Sequence, residues 1–484
     1  MKRVRYATLP LALLLLGTIA LASDMGKIPI STASREAKGY FLEGRTLVDN
    51  LRLTDAIAQF KKASERDPLF ALAYLYLATT APTAKEFFGY LDKATELSKN
   101  ASPGEQLWIT GFRQGALADP TAQCETYQKL VDIFPDDERA QSLLGINYFG
   151  QQDYAKAVRY LERATEINPS FAPAYNQLGY AYRFLERFDK AEVTFRKYTE
   201  LIPNDPNPYD SYAEFLLKLG RFDEAIEQYK KALSLDGHFA NSYTGIAAAL
   251  MYEGKHDEAH EEFQKALALA RTDGEKRAAI FGTVITYVDE GKHDMALKEM
   301  EKEFAIAEKI NDTGNMSADQ TAIGNILLEM GQVDKASAAF EESLALIRSS
   351  GLAKEVKENA TLIHHFNLGR VALARKEYDT ATKEAEQFLR GAEVKDNKNQ
   401  IRLAHELIGS IALAQQEYAQ AVRELRQANQ QNPYNLYRIA LAYQGSGAKD
   451  EARKYCSAAV RFHGLPLLNY AFIRQKADRL RSAI

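Results

Sequence analysis

The sequence predicts an all-α solenoid, a superhelix of stacked helix-turn-helix units closed by a C-terminal capping helix, and three observations predict it. Ala157, Ala191, Ala225 and Ala259 follow one another at intervals of 34 residues. Pro135, Pro169 and Pro203 step by the same 34, and Gly237 continues their series. Between these markers each period carries two runs of apolar residues at helical spacing, so the unit is a hairpin of two amphipathic helices. One such hairpin cannot bury its apolar face alone and is stabilised only by its neighbours.

The chain opens with MKRVRYATLPLALLLLGTIALASD, where Lys2, Arg3 and Arg5 precede an apolar run from Leu9 to Ala22. This pattern predicts an export signal over 1–22, cleaved near Ala22–Ser23, and a mature protein that is periplasmic or secreted. The run is shorter than the roughly 20 residues that span a bilayer, so no stable membrane anchor is expected. Residues 23–35 read as a linker. Repeats are expected over 36–273, regular from about 104 and degenerate at 69–103. A second stretch of units, 274–464, is less regular: the marker alanines continue at Ala296, Ala336, Ala381, Ala421 and Ala452, and the longer steps predict extended helices or loops. A final helix over Leu468–Ala483 within 465–484 would cap the array, with Arg474, Lys476, Asp478, Arg479 and Arg481 giving it a polar outer face.

Each position in the unit has a physical reading. Small residues such as Gly145, Gly179, Ala191 and Ala225 let two helix backbones approach closely. The bulky residue four after each alanine (Leu161, Phe195, Tyr229, Phe263) fills the space beside them. Asn168-Pro169 and Ile202-Pro203 stop the second helix, because the residue before proline is pushed out of the α region. In LGRFDEA and EGKHDEA a glycine ends one helix before the next begins. On these residues the units resemble tetratricopeptide repeats: Tyr175, Leu178-Gly179, Tyr182, Ala191, Phe195 and Pro203 match the family pattern, with Tyr198 where alanine is usual. The resemblance implies a right-handed superhelix whose first helices line a concave groove.

Carried onto this chain, the groove positions are Phe41, Arg45, Trp108, Phe112, Phe149, Asn176, Tyr180, Arg183, Phe184, Asp210, Glu214, Tyr252, Phe281, Asn325, Phe366, Arg370 and Tyr437. The set is rich in aromatic side chains, which suit a protein or peptide segment because rigid rings supply contact area at small entropic cost. Such rings also serve to pack adjacent repeats. Trp108, the one tryptophan, is the expected leading contact. The lysine that chaperone-tail-binding members of the family carry on a first helix is absent from the corresponding positions.

Other functions lack support. A formal charge of −4 becomes −7 once the three basic residues of the signal are lost, and acidic and basic residues are interleaved, so no nucleic-acid partner is expected. His256 and His260 have helical i,i+4 spacing but no third ligand nearby, and His256 stands at the turn position where sister units hold aromatics and where His293 recurs. No cofactor, metal or catalytic motif is expected, and repeats fill the chain from Glu36 to His463. Cys124 and Cys456, the two cysteines, read as buried thiols. The expected activity is that of an exported, non-catalytic adaptor binding a protein segment in its groove. The alternatives are a structural or self-assembling envelope scaffold that uses convex or end surfaces, and a carbohydrate or peptidoglycan binder.

Overall fold

The computed structural model describes residues 26–484. The expected export signal and its cleavage site lie outside these residues. Among the described residues, twenty-five α-helices form twelve hairpins and one closing helix. The hairpins are α1–α2 (Arg35–Asp49, Leu53–Arg66), α3–α4 (Ala71–Thr79, Ala84–Leu97), α5–α6 (Pro103–Ala116, Pro120–Ile133) and α7–α8 (Glu138–Gly150, Tyr154–Ile167). They continue with α9–α10 (Ala172–Phe184, Phe188–Leu201), α11–α12 (Pro206–Lys218, Phe222–Leu235), α13–α14 (Ala240–Tyr252, His256–Leu269) and α15–α16 (Asp273–Asp289, His293–Lys309). The last four are α17–α18 (Thr313–Glu329, Val333–Ser349), α19–α20 (Lys354–Ala374, Tyr378–Val394), α21–α22 (Lys398–Ala414, Tyr418–Leu425) and α23–α24 (Pro433–Gly445, Lys449–Val460). Helix α25, Leu468–Ala483, closes the array.

The repeat positions act as their chemistry predicts. A Cβ on Gly179 would stand 2.7 Å from the Phe195 ring, and one on Gly245 would stand 2.1 Å from the Tyr229 ring. Glycine is what lets a first helix lie against the bulky residue of a second helix, its own at Gly179 and the preceding unit's at Gly245. Phe195, Tyr198, Tyr229 and Phe263 are buried, and each contributes about 1.5–3 kcal/mol by leaving water. Tyr198, at the usual alanine position, accepts through its hydroxyl oxygen a hydrogen bond from the Asn207 side-chain nitrogen at 2.6 Å. The turn between the two helices ends in a left-handed residue: glycine at Gly220, Gly254 and Gly331, but Gln152, Glu186 and Lys376 in sister units, at φ 63, 56 and 63°. The amide after each such residue returns to the first helix, as Arg187 N–H does to the Tyr182 carbonyl at 2.9 Å.

The irregular half is lengthened in its helices. Helices α15 to α18, α20 and α21 each have 17 residues and α19 has 21, against 13 or 14 in the regular units. The degenerate stretch is a complete hairpin whose first helix, α3, is short and buried along almost all of ALAYLYLAT.

First helices of successive units touch one another along much of the array, whereas second helices pack chiefly on first helices, so the first helices form the inner face of the curve. The curve closes on itself after seven units. Asp55 in the first hairpin pairs with Arg271 at the start of the eighth at 3.1 Å. Thr121 in the third bonds the Asp396 carbonyl before the eleventh at 3.2 Å, and Arg402 of α21 donates to the Gln151 carbonyl at 2.8 Å. Successive turns of the superhelix therefore meet along a polar seam.

Two terminal segments depart from expectation. Residues 27–32 are not a free linker: Ile28 N–H donates to Asp137 and Ser31 N–H to Glu105, both at 2.8 Å. The polar face of α25 is not wholly solvated. Arg474 pairs with Asp289 and Lys476 with Glu329, because α25 crosses the inside of the curve and packs on α15 as well as on α23 and α24. Cys456 is buried and its thiol lies 2.8 Å from the Ala477 carbonyl; Cys124 is half-buried, and both are free.

Candidate functional site

Seventeen expected groove positions distribute over three environments. In the first, rings pack repeat against repeat. Phe41 is fully buried, with ring centroids 4.9 Å from Phe70 and 5.2 Å from Tyr76. Trp108 is buried edge-on to Tyr76 at 6.0 Å, so the expected leading contact offers little free surface. Bulky aromatic residues on closely spaced first helices fill the wedge between units before any of their surface reaches the groove. Phe112, half-buried, lies 6.1 Å from Phe87. Arg45 sits over the Phe41 ring at 5.7 Å. Phe366 is buried against Phe388 at 5.7 Å, although it also borders a cavity described below.

The second environment is a polar cluster on α9 and α11. Tyr180 O–H donates to Glu214 at 2.8 Å, and Arg183 reaches the other oxygen of that carboxylate at 2.7 Å. The Arg183 guanidinium also lies 4.9 Å from both the Tyr180 and Phe184 ring centroids. Phe184 in turn stacks on Tyr154 at 4.7 Å and meets Phe149 at 5.5 Å. Asp210 accepts from Ser242 O–H at 2.7 Å. Burial, helped by the Glu214 charge, pushes the Asp210 carboxyl up to about 7. Asn176 is buried beside this group. Tyr252, one unit further on, is covered by the C-terminal segment: it donates to the Gly464 carbonyl and its ring meets His463 and Tyr470 at 5.4 and 5.6 Å.

The third environment, on α17, α19, α21 and α23, is an open hollow. A cavity of about 390 Å³ there is lined by Thr321, Asn325, Phe366, Arg370, Leu403, Glu406, Ser410, Tyr434 and Arg438, with Asn469 and Phe472 of α25 at one end. A second hollow of about 720 Å³, bordered by Phe281, Gln400, Arg402 and Leu468, adjoins it. Arg370 donates to the Asn325 carbonyl oxygen at 2.6 Å and lies 5.4 and 5.7 Å from the Phe366 and Phe340 centroids. It makes no ion pair among the described residues. Burial pushes its guanidinium down to about 10, a sign of desolvation without a matched carboxylate. The nearby carboxylate is already committed: Glu406 accepts from Arg438 at 2.9 Å, Asn435 at 2.9 Å and Asn432 at 3.1 Å. Tyr437 faces away from the cavity, packed in the core that holds Cys456 and α25.

The sequence thus brings Asn325, Phe366 and Arg370 together and misses Glu406, Arg438 and Tyr434. Glu406 stands at the first-helix position that Phe366 holds in the unit before; repeat register alone would have included it.

The histidines serve as local partners. His256 meets Asp289 at 2.8 Å and His260 meets Glu290 at 2.7 Å, so the two imidazoles engage different carboxylates. Among the described residues, no group of three or more His, Cys, Asp or Glu is placed to hold a metal ion, and no helix is long and apolar enough to cross a membrane.

Four family models, each described as tetratricopeptide repeat, match residues 41–86, 148–214, 206–272 and 320–350. Among solved structures, one of MamA is 24% identical, covering 33% of this chain and 93% of that one at a TM-score of 0.29. A second MamA structure is 23% identical, covering 34% and 91%, also at 0.29. No curated protein matches the chain.

Proposed function

The chain is a tetratricopeptide-repeat protein, a fold that serves as a protein-interaction scaffold, and we propose that it is an exported, non-catalytic adaptor that holds a protein segment in the open concave groove of α17, α19, α21 and α23. The observation that carries this reading is Arg370. A desolvated guanidinium beside rings, with one amide partner and no carboxylate, is costly to the fold and useful to a ligand able to complete its hydrogen bonds. The surrounding wall alternates apolar surface (Phe366, Leu403) with directed polar groups (Asn325, Ser410, Asn432), the composition of a site that fixes orientation as well as holding area. The other groove positions are taken up by ring packing between repeats, by the α9–α11 polar cluster and, at Tyr252, by the C-terminal segment.

Export rests on the basic-then-apolar opening of the sequence, and it directs the search to envelope proteins. The test is a pull-down from envelope extract with protein from Ser23 onward, beside an Asn325→Ala/Arg370→Ala variant and a control changed on the outer helices at Arg390 and Glu386. A protein lost from the groove variant alone supports the reading. A binding list unchanged in that variant would overturn groove use and turn attention to the outer surface or to self-assembly.

A further inference from the structure

Residues Lys27–Thr32, KIPIST, lie as a non-helical strap against the amino ends of α5 and α7. Two capping carboxylates hold its backbone with the oxygen their helix does not need. Asp137 caps α7 through Oδ1, which accepts from Arg139 N–H at 2.9 Å and Ala140 N–H at 2.8 Å, and offers Oδ2 to Ile28 N–H at 2.8 Å. Glu105 closes the capping box of α5 through Oε2, which accepts from Ser102 N–H at 2.9 Å, and offers Oε1 to Ser31 N–H at 2.8 Å. Lys27 adds an ion pair to Glu138 and a bond to the Asp136 carbonyl. Gly104 leaves the room for Ile28: a Cβ there would lie 3.1 Å from the Ile28 methyl.

The strap fits this site incompletely. No residue of 26–34 is fully buried. A cavity of about 240 Å³ persists beneath it, walled by Ile28, Ile30, Arg45, Leu72, Trp108 and Arg139. Arg139 is satisfied by a two-pronged pair with Asp49, whereas Arg45 forms no ion pair among the described residues and presents a guanidinium within reach of the cavity. A flat ring would fill the space and lie against that cation, a contact worth about 0.5–2 kcal/mol.

We propose that the α5–α7 edge is a second peptide-binding site, occupied in cis by Lys27–Thr32, whose true ligand is a segment of another protein with the same cation and backbone pattern but an aromatic residue where the strap has Ile30. A second copy of this chain is the wrong occupant on physical grounds. An identical strap in trans competes against one tethered directly to α1, whose effective concentration is on the order of millimolar. Only a segment that binds better displaces it, and the unfilled cavity is where the improvement lies. This site is separate from the α17–α23 groove, so either can fail without the other.

The test uses the full chain carrying Ile28→Asp and Ile30→Asp, which opens the site, and two labelled peptides read by fluorescence anisotropy: GKIPIST and its Ile30→Trp form. The opened chain is expected to bind the tryptophan peptide at least tenfold tighter than GKIPIST, and the unaltered chain to bind it more weakly than the opened one does. Equal binding of the two peptides, or none to an opened chain of native helix content, overturns the proposal. If the opened chain loses helix content, hydrogen exchange on the unaltered chain decides. Ile28 and Ser31 amides exchanging at least a hundredfold faster than the α5 core uphold a displaceable strap. Exchange only together with that core overturns it.

Discussion

The Arg474 guanidinium grips the Asp289 carboxylate with two nitrogens, Nε lying 2.6 Å from Oδ1, across 185 residues of chain. His256 engages the same carboxylate at 2.8 Å, and Gln475 donates to the Asp289 carbonyl at 2.6 Å. These bonds, with the arginine and histidine charges, hold the Asp289 carboxyl below its usual range despite burial that opposes it. The pair ties the closing helix to the eighth hairpin, so the last unit is braced to the inside of the curve as well as stacked on its predecessor.

Breaking that brace from one side leaves a buried charge behind. Arg474→Ala is expected to cost about 3–5 kcal/mol in urea unfolding at neutral pH. An Asp289→Ala/Arg474→Ala double variant should cost less than the sum of the single losses. Additive costs in this cycle would show that the pair is not coupled. Because Asp289 has a depressed value when folded, its contribution is present above the ordinary aspartate range and is lost as pH falls through the lower folded value.

Asp210 predicts the opposite slope. Its folded value is raised to about 7 from 3.8, so the folded state binds the extra proton between those two values. Stability from this group is therefore greatest in acid and declines as pH rises toward 7. Asp210→Asn keeps an acceptor for Ser242 and removes the buried charge. It should leave stability unchanged near pH 4 and raise it by roughly 1–3 kcal/mol at pH 8. Thermal melts of both proteins across that range read the difference directly.

The close approach of α13 to the preceding helix makes a steric prediction. Gly245→Ala would place a methyl 2.1 Å from the Tyr229 ring, which is buried and has nowhere to go. A loss of about 1–3 kcal/mol or more is expected in denaturant unfolding. Pairing it with Tyr229→Leu should restore part of that loss, and no restoration would mean that the ring is not the obstacle.

The turn residues predict a gain. Glu186 holds φ 56°, a conformation its glycine counterparts Gly220 and Gly254 adopt freely. Glu186→Gly is expected to stabilise by about 1 kcal/mol, seen as a higher thermal midpoint. The same substitution at Arg187, where φ is −86°, should not.

Arg370 separates fold from binding. Its desolvation is not offset by a carboxylate, so Arg370→Met should leave the thermal midpoint unchanged or higher while abolishing capture of any groove ligand. A large loss of stability would assign the guanidinium to the fold instead.

The helical class and the pairing of helices into hairpins are legible along the chain because each repeat records them locally. Gly179, Ala191, Phe195 and Pro203 each act on partners within about one unit, and a 34-residue period repeats that local physics until it is unmistakable. Even Leu468–Ala483 was readable as a helix from its own residues. What the period cannot encode is which surfaces meet after the superhelix has turned. The Arg474–Asp289 grip, the Asp55–Arg271 seam and the strap on Asp137 and Glu105 join residues 109 to 216 or, for Ser31 and Glu105, 74 positions apart. Those contacts depend on small rotations summed over several units, which no single unit specifies. The same accumulation decided the groove: Trp108 and Phe41 lie at groove positions by register yet are consumed by packing, while Arg370 and Glu406 line a cavity on the inner helices.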